Sequence, residues 1–428
     1  MTQAPERTAH DVDEVLNGIK IIDCDAHFTE PHDLWLSRTP KSRHSEIPVI
    51  KTIDGESHWY LGDELWATMG GNVIGHGNER AYGRYILQPF DRVSSAAWSV
   101  PDRVALLDEL GIHAQICYPN ALGFSSNHIF AIDDIAQRLF ILQTYNDFLA
   151  DIQEESGGRL LPQAVLPVWD MDATVAEMTR LADRGITGYT LSDKPEMLGL
   201  PELPDKYFVP MFELANDTKA VINFHIGSGK TKAEREEARA TLLSPEGGPG
   251  AGAEAKPASD GVGTGSAWKS LSSKQRHVVT AALAEMSNVR AVCNLVVSGF
   301  FDRYPDLKIV SAESGIGWVP FILEALEHNF NEMLVDESGR DLQRRPTEYF
   351  RDHLFVTFWF ESSAPRYLVD SIGVNNILVE TDIPHPSCLY PGVREHFANV
   401  LGDQSFEVRK RILQDNAAEL YTIDLGSS

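Results

Sequence analysis

Cysteine is scarce in this 428-residue chain: Cys24, Cys117, Cys293 and Cys388 are scattered from end to end. None belongs to a Cys-x-x-Cys pair, which excludes a disulfide framework and a zinc–thiolate site and fits a reducing, cytoplasmic setting. Long apolar runs are also missing, since none reaches the roughly 18 residues of a membrane-spanning helix. The opening stretch, MTQAPERTAHDVDEVLNG, lacks the apolar centre of a secretory signal. Positive charge is in short supply, with 37 Lys and Arg against 62 Asp and Glu and a net charge of −25. That balance excludes nucleic acid or an anionic membrane as the main partner, because both repel an acidic protein. It leaves a small anionic substrate open, since local cations can still line a pocket. There is no Gly-x-Ser-x-Gly elbow for a serine hydrolase. The Gly-Ser-Gly-Lys-Thr at 227–231 resembles the end of a phosphate loop, but the required first glycine falls on Phe224.

What is present is enough apolar residue for a large core, 43% of the chain, arranged in short β-branched runs with helical stretches between them. Such alternation marks βα units around a parallel sheet. The runs predict eight strands, at 21–28, 113–120, 163–170, 187–193, 220–227, 308–315, 354–361 and 376–385. Between them lie predicted helices at 102–111, 132–155, 173–185 and 318–334. Gly111, Gly185 and Gly373 suit the joints where a helix ends and a strand begins. Eight such units predict a distorted (β/α)8 barrel. An open doubly wound sheet is the competitor, and no Gly-rich first turn supports it. Residues 1–20 read as an N-terminal extension and 21–425 as one barrel with two insertions. The first, 31–101, is rich in Trp, Gly and His and predicts a small hairpin with helices over the barrel mouth. The second, 228–275, contains the low-complexity SPEGGPGAGAEAKPASDGVGTGSAW and reads as a lid or tether.

In a barrel, reactive groups sit at the C-terminal ends of the strands. Those ends carry Asp25 and His27 on strand one, His225 on strand five, Glu313 on strand six and Asp382 on strand eight. Taken singly each has a bland reading. Asp-x-His is most often a hydrogen-bonded pair, His225 a satisfied core histidine, and Asp382 a helix cap. Gathered at matching strand ends, they predict a metal shell. Around them, His385 is a candidate to orient substrate or ligand, or else a plain loop histidine. Either Trp359 or Phe360 should face the barrel, and Trp359 is taken as the substrate contact. Arg80, Arg84 and Lys230 near the mouth are candidate cations for a substrate carboxylate, with Arg84 taken as the contact, and each singly reads more simply as solvated charge; His328 reads as an ordinary helix residue.

The stretches DCDAHFTEPHDLW, FHIG, SGFFDRYPDLKIVSAESGIGW and ILVETDIPHP run nearly end to end. Through them the chain resembles the amidohydrolase superfamily, in the amidohydrolase-related group that includes aromatic-acid decarboxylases and C–C or C–N hydrolases. The resemblance implies a distorted barrel holding one or two divalent ions, Zn, Mn or Fe. It places Asp25 where the first histidine of the usual His-x-His pair stands, and matches His27 to the second. It matches His225 to the strand-five ligand and Asp382 to the aspartate that binds metal and handles a proton. Glu313 departs from the histidine common on strand six. It would bind a second metal, act as a base, or hold another ligand in place. Strand four lacks the carbamylated lysine that bridges binuclear centres.

The leading expectation is a metal-dependent hydrolase or lyase that cleaves a C–N or C–C bond of a small carboxylated molecule. Metal-bound water attacks that bond, or the metal grips a carboxylate that is expelled. Asp382, Glu313 and His385 are the expected catalytic groups. The missing strand-six histidine weighs against the decarboxylases. A carboxylate-rich shell also suits a second class, a dinuclear iron or manganese–iron oxygenase. A third is an inactive partner subunit of a related active chain. The resemblance implies an oligomer, or a complex with a related chain.

Overall fold

The computed structural model describes residues 10–53, 56–68, 71–81, 92–124, 128–227, 270–271, 273–333 and 342–426. Its strands are β1 (Ile21–His27), β2 (Val49–Ile53), β3 (Glu56–Leu61), β4 (Glu64–Thr68), β5 (Ile112–Tyr118) and β6 (Leu160–Pro162). They continue with β7 (Ala164–Val165), β8 (Gly188–Leu191), β9 (Val221–His225), β10 (Lys308–Ala312), β11 (Leu354–Phe358) and β12 (Ile377–Val379). Nine of them form one sheet in the order β6-β5-β1-β12-β11-β10-β9-β8-β7. Every pairing in it is parallel. The two ends of that sheet, β6 and β7, are separated along the chain by Gln163 alone. The sheet therefore returns on itself and closes a barrel of eight staves, one of them broken.

These strands read as continuous apolar runs because both faces are covered, by helices outside and by side chains within. The interior holds Ile22, Cys24, Ile116, Tyr118, Val221, Val310, Ala312 and Leu378, together with Ala417, Ala418 and Tyr421 of the C-terminal helix Asn416–Tyr421. Lys20 and His113, at the starts of β1 and β5, bond the carbonyls of Leu425 and Asp424. The C-terminal segment thus plugs the end of the barrel opposite the strand C-termini.

The helices Val100–Leu110, Ile135–Glu155, Met171–Ala182 and Val319–Met333 stand where the periodicity predicts them. Asp134 and Asp170 cap two of them by accepting from the amides of Gln137 and Ala173. Strand three is the element displaced from expectation. It lies at 160–162 and 164–165 rather than 163–170, and Leu166–Asp170 turns into the next helix, with the Asp170 amide donating to the Pro167 carbonyl.

The insertion after β1 is a three-stranded antiparallel sheet, β2-β3-β4, rather than a hairpin. Its tryptophans explain its docking. Trp35 packs edge-on to Trp59 and Trp66 and donates its indole N–H to the Ile141 carbonyl on the helix Ile135–Glu155. The predicted lid at 228–275 falls outside the described residues up to 269. Among the described residues, no helix is long and apolar enough to cross a membrane.

Candidate metal centre

The geometry of β1 begins with an irregularity. Asp23 pairs with Gln115 on β5, yet Ala26 pairs with Cys117, so β1 uses one extra residue between them. A bulge of this kind puts two successive side chains on one face and re-aims those that follow. Cys24 stays in the barrel interior, and Asp25 and His27 also turn toward the barrel mouth. Asp23 is left on the other side. It accepts from the Thr381 amide at 2.8 Å, from the Thr381 hydroxyl, and from the Gln115 amide at 2.7 Å. Gln115 in turn accepts from Arg103 at 2.7 Å, and Arg103 also donates to the His27 carbonyl at 2.8 Å. Asp23 is a strut between β1 and β12, not a member of the cluster.

At the mouth, His27 Nε2 and His225 Nε2 lie 3.2 Å apart. Asp25 places Oδ2 3.2 Å from His225 Nε2 and Oδ1 3.6 Å from His27 Nε2. Asp382 Oδ1 is 3.5 Å from His27 Nε2 and 3.2 Å from His385 Nδ1, and Glu313 Oε2 is 3.4 Å from His225 Nε2. The side chains of Asp25, His27, His225 and Asp382 are fully buried, while Glu313 keeps 13% and His385 11% exposure. His225 Nδ1 donates to the Ile226 carbonyl at 2.7 Å, so its Nε2 presents a lone pair to the cluster. Both oxygens of Asp25 and Oδ1 of Asp382 are buried without a hydrogen-bond partner. Carboxylate oxygens buried without a hydrogen-bond partner are costly, and a cation at their centre relieves that cost.

Local backbone delivers these groups. Glu313 and Asp382 both adopt a left-handed conformation, with φ of 51° and 56°, which is uncommon outside glycine. The Glu313 turn is held because its amide donates to Thr357 Oγ1 and to Glu380 Oε2. The following Gly315 allows Glu361 to approach. A Cβ there would meet the Glu361 carboxylate at 3.0 Å, and that carboxylate accepts from the amides of Ile316 and Gly317. On the Asp382 side, Ser387 donates to Oδ2 at 2.5 Å. The insertion clamps the loop beyond: Arg80 donates to the carbonyls of Pro386, Cys388 and Tyr390. This corrects the reading of Arg80 as solvated charge, because its guanidinium fork is spent on backbone acceptors.

Burial sets the electrostatics. It pushes Asp25 well above the usual carboxylate range, assisted by Asp382 and Asp23. It does the same to Glu313, assisted by Asp382 and Asp25. Burial lowers His225 to about 4 and takes His27 well below the ordinary histidine range, with His385 and His225 adding to the effect on His27.

The sequence-predicted residues Asp25, His27, His225, Glu313, Asp382 and His385 come together. Of the pair on strand seven, Trp359 is buried and Phe360 is half exposed. The Trp359 indole N–H has no hydrogen-bond partner. Arg84 and Lys230 lie outside the described residues. Two contributors went unrecognised. Phe124 lies 4.2 Å from the His225 ring and 5.0 Å from that of His27, centroid to centroid, and roofs the cluster. Asn120, two residues beyond β5, accepts from His385. Its place just past a strand end was the signal available.

A parallel barrel that gathers carboxylates and imidazoles at the C-terminal ends of its strands defines a metal-dependent enzyme of the hydrolase and lyase type. A model of the Amidohydrolase family matches residues 22–423, and the chain belongs to that family. It is 22% identical over 339 residues to a 2-amino-3-carboxymuconate-6-semialdehyde decarboxylase of Dictyostelium discoideum, covering 78% of this chain and 80% of the relative. Among solved structures it is similar to an amidohydrolase of Mycobacterium avium subsp. paratuberculosis. That match has a TM-score of 0.66 and 18% identity and covers 94% of this chain and 99% of the other. It is also similar to a 5-carboxyvanillate decarboxylase of Novosphingobium aromaticivorans solved with manganese and 3-methoxy-4-hydroxy-5-nitrobenzoic acid. There the TM-score is 0.60 at 16% identity, over 96% of this chain and 99% of the other.

Proposed function

We propose that the protein is a metal-dependent lyase that removes carbon dioxide from a small carboxylated organic acid. In this reading Asp25, His27, His225 and Asp382 hold one divalent cation. The observation that carries it is the set of buried carboxylate oxygens, both of Asp25 and Oδ1 of Asp382, that lie beside two imidazoles and have no hydrogen-bond partner. A bound divalent ion supplies the positive field that grips a substrate oxygen and stabilises the electron pair left when carbon dioxide departs.

The chain's own residues do the rest. Ser387 fixes Asp382 Oδ2, so Oδ1 faces the cluster, and Asp382 is the residue that passes a proton to the carbon losing its carboxylate. Glu313, whose carboxyl burial pushes above the usual range, stands beside His225 where a strand-six imidazole would otherwise lie and is placed to hydrogen-bond a substrate oxygen. Phe124 walls the pocket and excludes water. Trp359 offers its free indole N–H as a substrate contact.

The missing strand-six histidine weighs toward hydrolysis, while two similar proteins that are decarboxylases weigh toward decarboxylation. A dinuclear oxygenase needs two cation positions. Among the described residues the two compact ligand groups, Asp25–His27–His225 and His27–Asp382–His385, share His27, which favours a single ion.

The test is incubation of the manganese-loaded protein with a panel of carboxylated phenols and unsaturated amino acids, with headspace carbon dioxide and product mass as readouts. Carbon dioxide released in step with a product lighter by that mass supports the proposal. Ammonia or a ring-opened acid without carbon dioxide would assign a hydrolase, and oxygen uptake an oxygenase. Either would overturn it.

A further inference from the structure

Asn120 is fixed from every side. Its amide N–H and that of Ala121 donate to Glu30 Oε1, at 2.9 and 2.8 Å, and Tyr145 donates to the same oxygen at 2.7 Å. Its side-chain Nδ2 donates to the Phe28 carbonyl at 3.1 Å. A carbonyl only accepts, so the amide has a single orientation, and Oδ1 is the atom 3.0 Å from His385 Nε2. His385 must then carry a hydrogen on Nε2. Its ring is also stacked on His27, with centroids 3.6 Å apart and planes 21° from parallel. Plane and tautomer are both decided, and the remaining nitrogen, Nδ1, faces Asp382 Oδ1 at 3.2 Å.

We infer that Asn120 is a positioning residue that locks His385 with Nε2–H outward and Nδ1 aimed at Asp382. Nε2–H stays bonded to Asn120 throughout the cycle. Any proton or cation exchanged with Asp382 is therefore confined to the Nδ1 side. Without the amide the ring is free to take the opposite tautomer as well, which sets N–H against the cluster in that fraction of molecules and removes the acceptor there.

The functional consequence rests on the proton-handling role proposed for Asp382, but the primary readout does not. Histidine labelled with nitrogen-15 is introduced into the full-length protein, and the His385 signals are identified by their loss in His385→Gln. Spectra are recorded metal-free and with zinc. The expected wild-type spectrum places the hydrogen on Nε2. Asn120→Ala should give a mixture of tautomers, and Asn120→Asp, which keeps an acceptor in place, should restore the Nε2–H form. For any acid found to lose carbon dioxide, Asn120→Ala should lower kcat about 10- to 100-fold with KM and bound manganese unchanged. A wild-type His385 protonated on Nδ1 alone overturns the inference without any variant. So does an unaltered tautomer in Asn120→Ala, or a fall in activity explained by lost metal. If no acid is decarboxylated, the proposed reaction fails while the tautomer experiment still decides the role of Asn120.

Discussion

Arg103→Met tests the strut beneath the metal centre. Arg103 is fully buried and donates to the Ala96 carbonyl at 2.5 Å, to Gln115 Oε1 at 2.7 Å and to the His27 carbonyl at 2.8 Å. Methionine keeps most of the apolar stem and deletes all three donors. Each buried acceptor stranded this way costs about 1–3 kcal/mol. The upper bound is therefore roughly 9 kcal/mol, and relaxation around the smaller side chain reduces it. Asp23, reached through Gln115, also loses its nearest relayed cation. The expected loss is about 3–5 kcal/mol, the cost of removing one partner from a buried charged network. Against a total of about 5–15 kcal/mol it should move the urea midpoint clearly downward. Arg103→Lys keeps the charge but not the planar fork and should fall between the two. The assay is urea unfolding followed by tryptophan fluorescence, with all three proteins metal-free so that binding does not mask the difference. A loss below about 1 kcal/mol in Arg103→Met would refute the network as a load-carrying element.

Asp25→Asn should weaken manganese binding by more than the roughly 10- to 100-fold that loss of an outer hydrogen-bond partner costs, read by electron paramagnetic resonance titration; wild-type affinity would remove Asp25 from the shell. Glu313→Gln should retain one metal per chain and lower carbon dioxide release about 100-fold; loss of metal by elemental analysis would make Glu313 a ligand instead. Gly188→Ala should destabilise by about 1–3 kcal/mol in thermal unfolding. A Cβ there would lie 2.0 Å from Gln163 Oε1, an atom already committed to Asn223; an unchanged midpoint would show that Gln163 yields freely. Arg80→Ala frees three carbonyls of the 386–390 loop and should raise KM more than it lowers kcat; equal changes in both would point to Asp382 itself being displaced.

The barrel was legible because buried parallel strands are written as uninterrupted β-branched runs, and such runs need no long-range information to be found. The strand ends that carry the clustered acids and imidazoles were legible for the same reason: position in the run tells position in the barrel. Asp23 shows where that logic stops. In the run Ile21–His27 it is spaced from Asp25 as Asp25 is from His27, and strict alternation would put all three on one face. The bulge that separates them is set by pairing to β5, and nothing in the local composition marks it. Arg80 was unreadable for a related reason, since its partners are backbone carbonyls at 386, 388 and 390. Asn120 carries no charge and no metal-binding group, so its type does not mark it, although a neutral amide can determine which imidazole nitrogen is available.

The sheet order seats the first strand beside the last. Thr381 reaches Asp23 across 358 positions of sequence, and Asp382 donates its amide to the Asp25 carbonyl. During synthesis on the ribosome, Asp25 and His27 leave the exit tunnel with one whole flank of their strand bare. They wait until nearly all of the polypeptide has followed. A loop of that span is slow to close. The buried cluster of acids and imidazoles is therefore assembled only in a finished molecule, since a chain released before residue 382 lacks the carboxylate that meets His27 and His385.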